Sequence, residues 1–138
     1  MRKKGSALTI VLVMMTALLI LGTIVSTAVV NTARFNKKYS DSIDLELAAK
    51  SGLNILREDF ITYASDKKID EIKRYIDIDK RYLNIINNFS SNYNEDGIEL
   101  SAKMYYENND NIVMIEVEAK ELKTNISKKE NQRIKINL

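Results

Sequence analysis

The chain has 138 residues, with 21 basic and 19 acidic side chains and no His, Cys, Trp or Pro. This length fits one small domain plus at most one appendage. The missing residue types exclude Ser-His-Asp and Cys-His catalysis, disulfides and metal sites built from His or Cys, so we expect no enzyme activity, no cofactor and no metal site.

The N-terminal part of the chain contains a long uncharged segment, residues 6–33, composed mostly of Ala, Val, Leu, Ile and Met. Its core, residues 7–30, would span roughly 36 Å as a helix, which is enough to cross a hydrocarbon layer of about 30 Å. A cleaved secretory signal is the first alternative, but signal cores are only about 7 to 15 residues long. An ordinary signal anchor with a soluble tail is the second alternative. The segment therefore predicts a single transmembrane helix.

The charges that flank this segment are balanced, so they do not decide the orientation. Arg2, Lys3 and Lys4 precede it, and three further basic residues follow it within the next few positions. Long tails translocate largely regardless of their charge. We therefore expect the N-terminus in the cytoplasm and the C-terminal part outside the cytoplasmic membrane.

The start of the chain, Arg2-Lys3-Lys4-Gly5-Ser6, is a short basic leader followed by a glycine, a small residue and then the apolar helix. This arrangement resembles the leader of type IV pilin-like proteins, a family that includes pilins, minor pilins and pseudopilins. A dedicated membrane peptidase cuts these proteins after the glycine. The resemblance implies cleavage between Gly5 and Ser6, with Ser6 as the new N-terminal residue and the one that would be methylated. Loss of the leader would leave a side-chain charge of about −1, so net charge does not imply a nucleic-acid partner, which stays possible but unsupported.

One position departs from the family pattern. The family has a glutamate five residues after the glycine, and this chain has Ile10 there. In the family this buried glutamate is thought to pair with the amine of a neighbouring subunit, and an unpaired buried charge costs several kcal/mol. A subunit without it fits poorly as the repeating unit, so the resemblance favours a minor or initiating pilin at the fibre tip. The alternative is that Ile10 belongs to a generic membrane helix.

The helical pattern continues beyond the uncharged segment as an amphipathic region, residues 34–64. Its apolar residues recur at helical spacing and are expected on one side of the helix: Phe35, Tyr39, Leu45, Ala49, Leu53, Leu56, Phe60 and Tyr63. Because no Pro interrupts residues 6–63, one continuous helix is predicted. The resemblance implies that its first half is bare and its second half packs on a head, residues 65–138.

The head is predicted to contain a second helix and an antiparallel sheet. An apolar stripe indicates a helix over residues 69–89, with Asp66 as its N-cap. From Gly97 the apolar residues alternate, first over residues 98–106 and then over residues 113–119 after a turn at residues 108–111. Ile134, Ile136 and Leu138 indicate a last strand. The expected fold is α+β, a long N-terminal helix packed on a meander of three or four strands.

Two regions of the head are rich in basic residues, which nucleic-acid sites require. A basic-aromatic stripe recurs at seven-residue spacing: Lys67, Arg74 and Arg81, with Tyr75 and Tyr82 beside them. Acidic residues balance this stripe, and Asp70–Arg74 and Asp77–Arg81 are predicted ion pairs, so a solvated face is favoured. The C-terminal stretch carries Lys120, Lys123, Lys128, Lys129, Arg133 and Lys135. This stretch is interpreted as an edge hairpin guarded by lysines.

Two further patterns partly resemble a calcium site and a catalytic carboxylate pair, but neither meets the requirements of such a site. Asn92 to Gly97 resembles a calcium loop, yet its twelfth position is Lys103 where a bidentate Glu is needed, so a turn is predicted. Asp77 and Asp79 are two residues apart on a predicted helix, so they point to different sides and do not form a catalytic carboxylate pair.

The sequence as a whole predicts a non-enzymatic minor pilin or pseudopilin of a bacterial type IV filament system. Its expected domains are a leader (1–5), a transmembrane helix (6–33), an amphipathic continuation (34–64) and a head (65–138). Its expected partners are a prepilin peptidase, membrane lipid before assembly and other pilin subunits through the N-terminal helix. After assembly it would lie in a cell-surface pilus. The alternative is a single-pass membrane protein whose external head binds a partner and never enters a filament.

Overall fold

The computed structural model describes residues 2–107 and 111–136, with side chains from Ser6 onward. The helices are α1 (Arg2–Ala64), α2 (Ile69–Arg74) and α3 (Arg81–Ser90), and the strands are β1 (Ile98–Glu107), β2 (Ile112–Glu121) and β3 (Ser127–Lys135). A π-helical turn, Tyr75–Asp79, lies between α2 and α3, and a 3₁₀ turn, Ser91–Tyr93, follows α3. The chain forms two compact units, Met1–Ser40 and Asp41–Leu138. The α+β fold predicted from the sequence is confirmed.

The first helix is long because nothing in its sequence stops it. Arg2–Ala64 contains no Pro, and the apolar residues of its first part are good helix formers. The helix ends where Ser65 donates its hydroxyl to the carbonyl of Thr62 at 3.0 Å and the charged residues 66–68 follow. A side chain that bonds a terminal carbonyl satisfies one of the acceptors that a helix end leaves open.

The predicted second helix is not continuous, and this part of the prediction is wrong. Lys80 adopts a left-handed conformation, φ 44° and ψ 34°, and its N–H closes the π-helical turn on the carbonyl of Tyr75 at 2.9 Å. The bend separates α2 from α3, and Tyr75 and Tyr82, which lie on either side of it, are both buried. The predicted cap is also wrong, because Lys68 rather than Asp66 is the N-cap of α2 and no side chain caps it.

The sheet is an antiparallel meander in the order β1-β2-β3. In its register Leu100 lies opposite Ala119, and Val113 lies opposite Ile134. Burial alternates along β1, as expected for a strand with one covered face. The first two predicted strands are confirmed, and their ends lie within two residues of the predicted ones. On the third, Ile134 is half-buried and Ile136 is buried, whereas Leu138 and most of the predicted turn at 108–111 lie outside the described residues.

The core of the second unit lies between α1, α3 and the inner face of the sheet. Its largest fully buried side chains are Leu45, Leu56, Phe60, Ile72, Tyr75, Ile76, Ile86, Val113, Ile115 and Val117. The residues of α1 at positions 45–60 that the pattern placed on one side are buried here, whereas Phe35 and Tyr39 are exposed. The amphipathic helix therefore packs on the sheet over its C-terminal part.

α1 lies close to its neighbours at Gly52. A Cβ atom at this position would lie 3.0 Å from Ile86 Cδ1 and 3.2 Å from Val117 Cγ1, both tighter than ordinary van der Waals contact. Glycine therefore lets the helix backbone lie directly against α3 and β2. Ser90 Oγ accepts a hydrogen bond from the Leu100 N–H at 2.9 Å, which ties α3 to the unpaired edge of β1.

Candidate functional site

The leader residues lie at the very beginning of α1. The backbone of Arg2, Lys3, Lys4 and Gly5 is helical, and the helix runs through Ser6 without interruption. The bond between Gly5 and Ser6 therefore belongs to helical backbone. The Ser6 side chain is exposed, and the structure describes no side chain before it.

The uncharged segment is exposed along its whole length. Its large apolar side chains range from 45% exposed at Val30 to 73% exposed at Leu8. None of the residues in its most apolar window is buried within the chain, and the helix is long and apolar enough to cross a membrane. An apolar surface of this size is unfavourable in water, so the segment is compatible with anchoring in a membrane.

The threonines of this segment satisfy their own hydrogen bonds. Thr16, Thr23, Thr27 and Thr32 each donate the side-chain hydroxyl to a backbone carbonyl three or four residues earlier, at 2.8 to 3.1 Å. A hydroxyl bonded in this way needs no water. These side chains are therefore compatible with an apolar environment, and no partner helix is required to accept their protons.

Ile10, at the position where type IV pilin-like proteins have a glutamate, is an exposed apolar residue. Ile10 is 55% exposed, within the same range as its apolar neighbours. A carboxylate there would enter the apolar surroundings without water and would need a cation beside it. The isoleucine creates no such requirement.

A second exposed feature of α1 is a set of apolar residues in each unit, which together we call the apolar row: Phe35 and Tyr39 in the first unit, and Ile43 and Leu47 in the second. Phe35 and Tyr39 are 69% and 63% exposed, and Ile43 and Leu47 are 40% and 57% exposed. Within each unit the two residues are four apart and therefore lie on one face of the helix. The row lies beyond the uncharged segment, among charged residues, and neither unit covers the members that it contains.

The basic-aromatic stripe does not form a stacking surface. Lys67, Arg74 and Arg81 are exposed, but Tyr75 and Tyr82 are buried and cannot stack on an external base. The acidic partners also differ from the prediction. In the part of the chain that the structure describes, Lys67 pairs with Glu71 at 3.4 Å, whereas Asp70–Arg74 and Asp77–Arg81 do not pair.

The bend accounts for the absence of one predicted pair. Asp77 and Arg81 lie on either side of the left-handed Lys80, so they no longer have the spacing of one straight helix. Asp70 and Arg74 are both exposed, and nothing in the structure explains why they do not pair.

The C-terminal basic residues lie on and beside β3, which is an edge strand. Lys129 lies opposite Glu118 and approaches it at 3.5 Å. A hydrogen bond from Ser127 and the charge of Lys129 lower the pKa of Glu118. Lysines along an exposed strand edge discourage pairing with other chains, and their position matches the interpretation made from the sequence. The loop at Asn92–Gly97 forms consecutive turns, with Gly97 at φ 72°.

A cavity that the sequence patterns did not indicate lies within the second unit, near the end of α1. It has a volume of about 520 Å³ and is lined by Asp59, Thr62, Tyr63, Tyr75, Arg81, Asn84 and Ile85. Tyr75 donates its hydroxyl to Asp59 Oδ2 at 2.7 Å. Burial first, and this hydrogen bond second, raise the pKa of the Tyr75 hydroxyl. The residues are contributed by three segments of the chain, and no short motif links them.

Comparison with known proteins finds no match to this chain among family models, curated proteins or solved structures.

Proposed function

We propose that this protein is a minor pilin or pseudopilin subunit of a bacterial type IV filament system, cleaved after Gly5 and assembled through α1. In this proposal the subunit lies in the cytoplasmic membrane before assembly, with its N-terminus in the cytoplasm and its head outside. The prepilin peptidase and other pilin subunits are its partners. A position at the fibre tip is proposed because Ile10 replaces the glutamate that repeating subunits use.

The observation that carries the proposal is the apolar row. A lipid anchor explains why residues 6–33 are apolar and exposed, but it gives no reason for exposed apolar residues among the charges that follow. Phe35 and Leu47 are each more than half exposed, so apolar surface that a partner could cover extends beyond the uncharged segment. A bundle of packed helices would cover the uncharged segment and the row together.

Assembly by this route requires an exchange of environments. The uncharged segment would leave lipid and enter a bundle of equally apolar helices, so its hydrophobic contribution nearly cancels between the two states. An external motor must then drive extraction, and packing between helices must hold the subunit afterwards. The self-bonded threonines suit both states, because their hydroxyls are satisfied within the helix.

Processing is the direct test. The full chain is expressed with its cognate prepilin peptidase, and the membrane-bound product is analysed by N-terminal sequencing and intact mass. We expect a mature chain that begins at Ser6. Gly5→Phe is expected to block cleavage and leave membrane insertion intact, while Ser6→Ala, which keeps a small residue after the glycine, is the matched control and is still cleaved. A mature product that begins at Met1 in the presence of active peptidase contradicts the proposal.

Assembly is tested separately on the processed chain. Phe35→Ser and Leu47→Ser are expected to leave the protein in the membrane but remove it from sheared surface fibres. Ile78→Ser is the control, because Ile78 is exposed on the head and lies outside α1. If all three variants enter fibres equally, the row has no role in assembly. If the unaltered processed chain never appears in fibres, the single-pass binding protein is the better assignment.

A further inference from the structure

The cavity near the end of α1 has an aromatic wall that is held in place. The rings of Tyr63 and Tyr75 stack with centroids 4.4 Å apart and planes inclined by 30°. Tyr75 is only 1% exposed and is anchored through its hydroxyl to Asp59. Tyr63 is half-buried and lines the cavity. The wall is therefore a rigid apolar surface that presents Tyr63 to the cavity.

Two side chains of opposite charge line the same cavity without pairing with each other. Asp59 Oδ2 accepts a hydrogen bond from the Tyr75 hydroxyl. Neither Asp59 nor Arg81 forms an ion pair in the described ranges 2–107 and 111–136. Asn84 adds an amide that both donates and accepts. The cavity therefore offers hydrogen-bond donors and acceptors together, with opposite formal charges on its two ionised groups.

The backbone that positions these groups is unusual. The π-helical turn Tyr75–Asp79 and the left-handed Lys80 separate Tyr75 from Arg81. A lysine has a Cβ atom and disfavours this conformation, and π-helical turns and left-handed residues other than glycine are concentrated at functional sites. A regular helix through residues 75–81 would place Arg81 less than two turns from Tyr75 on the same helix, whereas the bend lets both line one cavity.

We propose that this cavity binds a neutral saccharide. A sugar ring has an apolar face that packs on an aromatic ring, and its hydroxyls both donate and accept hydrogen bonds. Tyr63 would supply the stacking face, Asp59 Oδ1 would accept from a hydroxyl, and the Arg81 guanidinium would donate to one. Because the two ionised groups cancel, the cavity favours no net charge on its ligand. A volume of about 520 Å³ accommodates one or two sugar rings.

This inference concerns the head alone and does not rest on cleavage at Gly5 or on assembly. The test uses the full chain in lipid nanodiscs, which avoids sugar-based detergents. Chitotriose and maltotriose are the probes, and saturation-transfer NMR reports contact between protein protons and each sugar. We expect at least one trisaccharide to bind with a Kd of about 1 mM or tighter.

Variants locate the contact. Tyr63→Leu keeps an apolar side chain but removes the ring, and Arg81→Gln removes the guanidinium from an exposed position. Each is expected to weaken binding by about tenfold. Tyr105→Leu is the matched control, because Tyr105 is exposed on the opposite face of the sheet, and its binding is expected to equal that of the unaltered protein. Circular dichroism spectra and melting curves check that each variant is folded.

Three results would overturn the proposal. The first is no transfer to either trisaccharide at concentrations of about 10 mM. The second is binding that both cavity variants leave unchanged. The third is glycine, used as a zwitterionic probe, binding to the same cavity more tightly than either sugar.

Discussion

Two phenylalanines of the same helix show how differently the two units use apolar residues. Phe35, in the first unit, is 69% exposed, and Phe60, in the second unit, is fully buried. Both follow the same helical periodicity in the sequence. The second unit buries its apolar residues in its own core, whereas the first unit leaves them for surroundings that the chain itself does not supply. Local pattern specifies a helix face but does not specify what covers it.

Polar groups differ between the units in the same way. The threonines of the first unit bond to carbonyls of their own helix. In the second unit, Tyr75 bonds to Asp59 on another helix, and Ser90 bonds to the backbone of a strand. Self-contained polar groups allow a helix to change its surroundings, while polar groups shared between elements hold those elements together.

The largest effect expected from this comparison is truncation of the two phenylalanines. Phe60→Ala should lower the free energy of unfolding of the head by about 3–5 kcal/mol, because Phe60 is fully buried and its truncation leaves a cavity in the core. Phe35→Ala should leave that free energy unchanged. Urea denaturation of the full chain in nanodiscs, followed by tyrosine fluorescence, measures both. Equal losses for the two variants would mean that Phe35 is also covered within the chain.

Two glycines of α1 offer the next test. Gly52→Val should cost about 1–3 kcal/mol of unfolding free energy, because the new side chain meets Ile86 and Val117 at less than contact distance. Gly22→Val meets no atom within 4 Å and should change the unfolding of the head by less than about 0.5 kcal/mol. The urea midpoint at constant slope reports the difference. A tolerated Gly52→Val would indicate that α1 can shift away from the sheet.

A smaller and pH-dependent effect is expected at Tyr75. Burial raises the pKa of its hydroxyl above the unfolded value of about 10, so the folded state holds the proton more strongly. This stabilisation is fully present below about pH 10 and is lost as the pH rises above that value. Tyr75→Phe should cost about 0.5–1.5 kcal/mol at pH 7 and should reduce the loss of stability on going to pH 11.

Melting temperatures measured between pH 7 and pH 11 test the Tyr75 prediction. Tyr39→Phe is the control, since Tyr39 is exposed on α1 and lies outside the core of the head. An unchanged alkaline profile in Tyr75→Phe would show that another group causes the loss.

The smallest effect is expected for surface charge. Lys50 contacts Glu46 at 2.5 Å. The hydrogen bond between them lowers the pKa of Glu46 and raises the pKa of Lys50, and both shifts favour the ionised pair. Both side chains are about half exposed, so solvent and salt screen their attraction. Lys50→Gln should leave the urea midpoint unchanged at physiological ionic strength. A clear shift would mean that surface charge, and not only the apolar core, holds α1 on the head.

Part of the head followed directly from the sequence, and part did not. Alternation over residues 98–106 and 113–119 indicated two strands, because burial of one sheet face imposes a period of two. The stripe over residues 69–89 indicated one helix, whereas the structure has a π-helical turn and the left-handed Lys80 between α2 and α3. Periodicity cannot reveal such a bend, since Lys80 is neither glycine nor asparagine and gives no local signal of a left-handed residue.

The candidate sites divide in a similar way. The leader, the uncharged segment and Ile10 are contiguous in sequence and were identified from it, although their role in processing and assembly is still a prediction. The cavity near the end of α1 was not identified, because Asp59 belongs to α1 while Tyr75 and Arg81 belong to the bent segment, and these residues share a cavity only when the two segments pack together. The exposure of Phe35 and Tyr39 was also not predicted, because the same spacing continues into the buried stripe.

The sequence by itself determined a charge-free helix long enough to cross a bilayer, its amphipathic continuation and the alternating strands of the head. These features depend on neighbouring residues and on the fixed periods of helices and strands, so they can be read locally. Only the tertiary structure decided where α1 becomes covered, why Gly52 must be small, and which distant side chains share a cavity. Those properties depend on contacts between segments far apart in the chain, and such contacts arise only when the core closes.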